Sequence, residues 1–207
     1  MPAGRVDEEY LGKLSRIDLE PGRDQAHPVR QLLQDVQEEL APHWILLDVR
    51  AGLADPAGML LSGLAHLHVL FGTFSDQSWA GLRLIIERLG AERVRQDEPQ
   101  ADCLLVQAMV PENVEAAEKS KRDFGDRARD VFVDHFYKED PEAEATEENC
   151  WYVSDAESSD APHVPIPLSY TPRLADFPSI DAVADHLADS PEYRHLAARI
   201  LARFGAS

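Results

Sequence analysis

The sequence predicts an α/β fold in which a mostly parallel sheet is flanked by helices. Short continuous apolar runs, typical of strands covered on both faces, alternate along the chain with segments of helical apolar spacing. Such an alternation favours βαβ units, whose strands are parallel. With 207 residues, 44% of them hydrophobic, the chain is long enough for one sizeable core. We therefore predict a single domain over residues 1–207.

The first predicted pair of elements is a helix followed by a strand. Apolar residues recur at helical spacing from Val29 to Leu40, which predicts an amphipathic helix over residues 28–41. The continuous apolar run 44–47 comes next and ends at Asp48. A run of this kind is typical of a buried parallel strand, and we predict one here.

A second helix–strand–helix unit follows. A helix rich in small residues is predicted over residues 56–65 and a strand over residues 68–72. Ser75 or Asp76 is expected to cap the next helix, since both side chains accept hydrogen bonds from the first free amides. The predicted inner face of that helix carries Trp79, Leu82, Ile85, Ile86 and Leu89.

The second half is predicted to add two strands and three helices. The apolar run 102–109 predicts a strand, and Pro111 stands at a favoured helix start before a helix over 112–137, with a break near Gly125. Prolines within the run 164–168 predict an edge strand, because proline has no backbone N–H to donate to a neighbouring strand. Two C-terminal helices are predicted over residues 180–187 and 191–204.

The charge distribution argues against a nucleic-acid-binding role. The formal net charge is −18, whereas phosphate neutralisation needs clustered Lys and Arg, so we expect no broad nucleic-acid-binding face. Residues 139–160 hold nine acidic residues and no Lys or Arg. Because like charges repel one another, residues 139–162 are predicted to be an acidic, disordered loop.

The composition also bears on location. No apolar run reaches the ~20 residues of a membrane span, and residues 1–20 are too charged for a signal peptide. Two cysteines, Cys103 and Cys150, give neither a disulfide framework nor a zinc ligand set. We therefore expect a cytoplasmic protein without a transmembrane segment.

The segment with the clearest chemistry runs from Ile45 to Asp55. Ligands in open α/β sheets bind beyond the carboxyl ends of the strands, which is where Asp48 is predicted to lie. There a carboxylate can hold a Mg²⁺-bound water, and Gly52 lets its backbone amide approach a phosphate oxygen. Arg50 can add a charge-assisted contact. On spacing alone, an ordinary strand followed by a turn explains these residues equally well.

Residues 44–89 resemble the middle of the ParA/MinD group of P-loop ATPases, above all a bacterial subgroup with Asp-x-Arg-Ala-Gly at the Walker B position. Residues 2–14 and 163–204 also resemble that subgroup. The resemblance implies an incomplete Rossmann-like, P-loop NTPase-like sheet that binds ATP and Mg²⁺. It implies that Asp48 positions the Mg²⁺ through water, Arg50 holds the γ-phosphate, Gly52 donates its backbone amide and Gln107 lies near the base.

The sequence departs from that family at the phosphate-binding loop. The family pattern K-G-G-x-G-[KR]-[ST] does not occur in the 207 residues, where the single Gly-Lys pair, Gly12-Lys13, precedes a leucine. The family's first strand has no counterpart either, so the chain resembles the C-terminal two-thirds of such a domain. The backbone amides of that loop supply most of the phosphate contacts. Exposed strand edges are then expected to favour a protein partner or self-association.

Two functions follow as hypotheses. In the first, the chain is the C-terminal part of a ParA/MinD-like ATPase, with ATP and Mg²⁺ as cofactors only if the missing loop is supplied, and is inactive by itself. In the second, it is a non-catalytic protein-interaction module derived from that fold. A third class, an independent hydrolase or metalloenzyme, has little support, because His66 and His68 lack a further ligand nearby and Ser62 and Ser75 lack a nucleophile elbow.

Overall fold

A computed structural model describes residues 28–48, 64–92, 102–140, 150–175 and 179–205. The chain divides into two compact units, Met1–Leu64 and Ala65–Ser207. In the first unit, helix α1 spans Pro28–Leu40 and confirms the predicted amphipathic helix. It ends at Ala41, whose φ of 41° lies in the left-handed region and whose amide donates to the Gln37 carbonyl at 3.0 Å.

The strand predicted over residues 44–47 is wrong. These residues form neither helix nor strand, and the side chains of Trp44, Ile45 and Leu46 are 47%, 40% and 89% exposed. A buried strand needs ladder partners for its backbone amides and carbonyls, and no described strand pairs with this run. Of the helix predicted over 56–65, only Leu64 and Ala65 are described, and both lie outside a helix.

The second unit is built on a three-stranded parallel sheet. Strand β1 spans Leu67–Gly72, β2 spans Asp102–Val110 and β3 spans Ile166–Ser169, in the spatial order β1-β2-β3. Three predicted strands are therefore confirmed, and so is the edge position of the last one among the described strands. The central strand β2 is fully buried from Cys103 to Gln107, as expected of a parallel strand covered on both faces.

Two long helices cover one face of the sheet. Helix α2 spans Asp76–Glu92 and helix α3 spans Val114–His135. The predicted inner face of α2 is confirmed: Trp79, Leu82, Ile86 and Leu89 are buried and Ile85 is half-buried. Trp79 packs against Phe124 of α3, with ring centroids 4.7 Å apart.

The ends of these helices differ in how well the sequence predicted them. Ser75 caps α2, since its Oγ accepts a hydrogen bond from the Ser78 amide at 3.2 Å, as predicted. Helix α3 does not begin beside Pro111 but after Asn113, whose side chain accepts from the Ala116 amide at 3.0 Å. It continues through Gly125 without the predicted break, because a helical glycine costs only about 1 kcal/mol, which tertiary packing offsets.

The last helix packs against the opposite face of the sheet. A short helix α4 (Pro172–Ala175), which was not predicted, precedes α5 (Ile180–Asp189) and α6 (Pro191–Ala202), which confirm the two predicted helices. Leu196 of α6 joins Val106 and two residues of β3, Ile166 and Leu168, in a buried cluster. Successive side chains of a strand point to opposite faces. Gln107 contacts α3. The side chain of the preceding residue, Val106, therefore points to the opposite face of the sheet, where it meets α6.

Part of the predicted acidic loop has a defined structure. Residues 141–149 lie outside the described part of the chain, but residues 150–162 include a 3₁₀ helix, Val153–Glu157. Lys138 and Tyr152 form a parallel bridge, and Ala156 and Ala161 are buried. Small apolar residues between the acids therefore give residues 150–162 something to bury.

Gly90 marks the closest approach of α2 to the end of α3. A Cβ at this position would overlap the backbone carbonyl oxygen of His135 and lie 3.0 Å from the Cα of Phe136. A backbone obstacle cannot rotate away as a side chain can. Gly81, on the same helix, has no atom within 4 Å of the equivalent position.

We therefore expect opposite effects from the same substitution at two positions of α2. Gly90→Ala should lower the free energy of unfolding by about 2 kcal/mol through overpacking. Gly81→Ala should raise it by about 0.5–1 kcal/mol through helix propensity. Urea denaturation followed by circular dichroism measures both; equal effects at the two positions would contradict the close approach.

Candidate functional site

The residues predicted to contact a nucleotide are only partly described. Asp48, predicted to end a buried strand and to hold Mg²⁺ through water, is exposed and belongs to no strand or helix. It therefore does not stand at the end of a strand as predicted, because residues 44–47 form none. Arg50 and Gly52, the predicted γ-phosphate and backbone-amide contacts, lie outside the described residues.

Gln107, the predicted neighbour of the nucleotide base, is turned into the protein. Its side chain is 1% exposed, and its Nε2 donates to Ser120 of α3, at 2.8 Å to Oγ and 3.3 Å to the backbone carbonyl. Its Oε1 is buried and accepts no hydrogen bond from the described residues. The amide therefore ties β2 to α3.

The carboxyl edge of the sheet is the place where open α/β folds bind their ligands. Three backbone segments meet there: Gly72–Ser75 after β1, Met109–Asn113 after β2 and Ser169–Thr171 after β3. The hydroxyls near β1 bond to one another and to the backbone. Thr73 donates its amide to Ser78 Oγ at 2.9 Å, and Thr73 Oγ1 lies 3.1 Å from Ser75 Oγ. These groups are used to turn the chain into α2.

Large apolar side chains are exposed along this edge. Phe71 is 57% exposed, Phe74 49%, Met109 60% and Tyr170 45%. We call these four residues the apolar row. They come from all three strands or the residues that directly follow them, and the Tyr170 amide donates to the Val110 carbonyl at 3.0 Å. Phe71 lies within β1, level with Val106, whereas Phe74, Met109 and Tyr170 lie at or just beyond the strand ends. Exposed apolar side chains at one edge of a sheet are typical of an interaction surface.

The backbone at Met109 is unusual. Its φ is 59°, in the left-handed region, which is rare for a residue with a long side chain. The pairing of β2 with β3 shifts register between Gln107 and Val110, as in a β-bulge. The bulge interrupts the strand's alternation, and Met109 is exposed although the flanking strand residues Gln107 and Val110 are buried.

Several acidic side chains belong to the segments that follow the strands of the apolar row. Glu112 and Glu115 are exposed at the start of α3, and Asp76, at the start of α2, is 96% exposed. The Glu192 carboxylate accepts the Ser169 amide and hydroxyl, both at 2.7 Å, directly before Tyr170. Sequence reasoning missed this edge because it placed Phe71 and Met109 in strands and assigned no role to Phe74 and Tyr170. The signal lay in apolar residues that continue past the strand ends, as Phe74 does.

A buried tyrosine–histidine pair lies beneath the 3₁₀ helix. Tyr137 Oη and His163 Nδ1 are 2.6 Å apart, and the rings of Phe132 and Phe136 pack around Tyr137. Burial raises the pKa of Tyr137, so its hydroxyl keeps its proton at neutral pH. Burial, together with the nearby Arg129, lowers the pKa of His163, and Glu157 opposes this. Both groups are therefore neutral near pH 7.

An ion cluster fastens α6 and the residues after it to the start of β2. Arg199 Nε lies 2.6 Å from Asp160 Oδ1, and Arg203 lies 3.1 Å from Asp160 Oδ2 and 3.2 Å from Asp102 Oδ2. The guanidinium of Arg203 also stacks over Trp151, 4.7 Å from the ring centroid. Both arginine side chains are almost fully buried, at 9% and 10% exposure. The cluster lies at the amino end of β2, so it stabilises the fold away from the carboxyl edge.

The described histidines of the predicted metal pair and the two cysteines lie in different surroundings. His66 is exposed, whereas His68 is half-buried in β1, where burial lowers its pKa. Over the described ranges no group of three His, Cys, Asp or Glu residues is placed to hold a metal ion. Cys103 is buried in β2 as expected, and Cys150 is half-buried. An open groove of about 480 Å³ between α3 and the 3₁₀ helix is spanned by the Arg129–Glu157 ion pair.

None of the helices described has the length and apolar character needed to cross a membrane.

Comparison of the chain with protein-family models, with curated proteins and with solved structures finds no significant match. The class that the fold defines is an α/β protein with a parallel sheet between two helical layers.

The ion cluster predicts a specific loss of stability. Asp160→Ala leaves the buried guanidinium of Arg199 without its carboxylate and should lower the free energy of unfolding by about 2 kcal/mol. Asp189→Ala, at an exposed position of α5, should change it by no more than about 0.5 kcal/mol. Chemical denaturation of the two variants checks this, and equal midpoints would contradict it.

The tyrosine–histidine pair predicts a dependence on pH. In the unfolded chain His163 has its ordinary pKa of 6.5, and in the folded chain its pKa is lower. The unfolded state therefore binds more protons in this window, and stability falls as the pH decreases from 6.5 through the folded pKa.

His163→Gln should reduce the acid-induced loss of stability in that window, whereas His195→Gln, at an exposed position, should leave it unchanged. The free energy of unfolding measured at several pH values between about 5 and about 7.5 tests this. An identical pH dependence in the wild type and both variants would show that the buried imidazole does not contribute.

Proposed function

We propose that this chain is a non-catalytic protein-interaction module with an α/β fold, which binds a partner at the carboxyl edge of its sheet. The observation that carries this proposal is the apolar row. An edge that binds a nucleotide presents backbone amides, glycines and cationic side chains to the phosphates. The described part of this edge instead presents phenylalanine, methionine and tyrosine side chains that are about half exposed.

The polar groups of the edge support the same proposal. Gln107 bonds to Ser120, the Thr73 amide bonds to Ser78, and Glu192 accepts two hydrogen bonds from Ser169. Each of these groups is thus engaged within the fold. The acidic side chains around the row disfavour a triphosphate, because like charges repel. The described residues of this edge therefore do not fit ATP with Mg²⁺.

A second candidate function is part of a ParA/MinD-like ATPase, and the Asp48-Val49-Arg50-Ala51-Gly52 segment favours it. Under this proposal ATP and Mg²⁺ are cofactors that bind only when a glycine-rich phosphate loop is supplied. Asp48, Arg50 and Gly52 would contact the Mg²⁺-bound water and the phosphates. Both candidates share one property, which is that these 207 residues alone do not bind the nucleotide.

Isothermal titration calorimetry of the 207-residue chain with Mg-ATP tests this shared property. We expect no saturable heat, and the same result for Asp48→Ala, because one exposed carboxylate leaves Mg²⁺ largely hydrated. Saturable binding that disappears in Asp48→Ala would overturn the interaction module. The DNA upstream of the coding region separates the two candidates, since a strand followed by K-G-G-x-G there favours the ATPase.

A further inference from the structure

The apolar row has the dimensions of one helix face. Neighbouring strands of a sheet lie about 4.8 Å apart, so the ends of three strands span about 10 Å. Phe74 follows β1, Met109 lies at the end of β2, and Tyr170 follows β3. In an α-helix, residues i and i+7 are separated by about 10.5 Å along the axis and lie on one face. Two turns of an amphipathic helix therefore match the length of the row.

The charges around the row indicate the character of such a helix. Four acidic residues belong to segments that follow a strand end or hydrogen-bond to one: Asp76, Glu112, Glu115 and Glu192. Asp76 and Glu115 also stabilise the first turns of their helices through the helix dipole, and Asp76 pairs with Arg127 at 3.0 Å. Glu112 precedes the helical residues of α3, so the dipole of that helix does not account for its exposed charge.

We infer that the partner of this edge is a basic amphipathic helix, whose apolar face covers Phe74, Met109 and Tyr170 and whose Lys and Arg side chains meet the surrounding carboxylates. The inference rests on the proposed interaction function and names the chemistry of the partner. Methionine adapts its flexible side chain to different apolar surfaces. The formal charge of −18 on the chain favours a cationic partner over a second copy, which would bring two acidic surroundings together.

The test uses three synthetic helices of about 18 residues, since shorter helices are marginal in water. They share one apolar face with Leu and Phe at positions i, i+3, i+4 and i+7, and differ on the polar face, which is Lys/Arg-rich, Glu-rich or Ser/Gln-rich. Fluorescence anisotropy with the full chain should give at least about tenfold tighter binding of the basic helix than of the other two at low salt. High salt should reduce that preference.

Matched variants locate the binding surface. Met109→Gln should weaken binding of the basic helix by at least about fivefold, as expected for a contact at the centre of an interface. Leu84→Gln, a similar change at a comparably exposed position of α2, should leave binding unchanged. Glu112→Gln combined with Glu115→Gln should weaken binding and lower its salt dependence. Glu87→Gln combined with Asp189→Asn changes the net charge by the same amount and should leave both the binding and its salt dependence unchanged. Urea denaturation of each variant verifies that it folds.

Three outcomes overturn the inference: no helix binds, the neutral helix binds as tightly as the basic one, or Met109→Gln and Leu84→Gln weaken binding equally. Sedimentation that shows Met109-dependent dimers would identify a second copy as the occupant and also overturn it. None of these results tests whether the chain binds Mg-ATP. Failure of the proposed function is recognised separately, by saturable nucleotide binding to the same preparation.

Discussion

The burial of strand β2 is the constraint on which the second unit of this protein depends. Its residues from Cys103 to Gln107 are inaccessible to solvent, and the sheet has only three described strands. A strand in this position loses contact with water on both faces, so helices must cover both of them. Helices α2 and α3 cover one face, α6 covers the other, and the positions of the remaining segments follow from this arrangement.

Polar contacts determine how these layers are held against the strand. On one face the amide of Gln107 bonds to Ser120, and on the other side Arg203 reaches Asp102 at the amino end of β2. A buried guanidinium is costly unless carboxylates and carbonyls surround it, and both arginines of the cluster have such partners. The polar contacts therefore specify the docking of the helices, whereas the apolar cluster supplies most of the stabilisation.

The sequence predicted those parts of the fold where local pattern and tertiary structure agree. The strands around Leu70 and Leu105, the inner face of α2 and the Ser75 cap have patterns that persist over several residues. The run 44–47 has four apolar residues and no partner strand in the described residues, and apolarity alone does not reveal whether a partner exists. The helix start at Asn113 was missed because Pro111 is an equally favourable start by local rules.

The candidate site was less predictable than the fold. The position of Gln107 in its strand was predicted, but its orientation depends on Ser120, a residue of the next helix, and no local pattern encodes that contact. The apolar row was missed for a related reason. A sequence shows that Met109 is apolar, but only the bulge between Gln107 and Val110 determines that it is exposed.

The position of helix α6 in the chain has a consequence for folding during synthesis. Val106 and Ile166 are buried beneath Leu196, which is translated well after both. A nascent chain that has not yet reached Pro191 thus exposes one uncovered face of its sheet to solvent or to a chaperone. Closure of the core must wait for the final helix to emerge, and proteins in this situation are prone to aggregate while still attached to the ribosome.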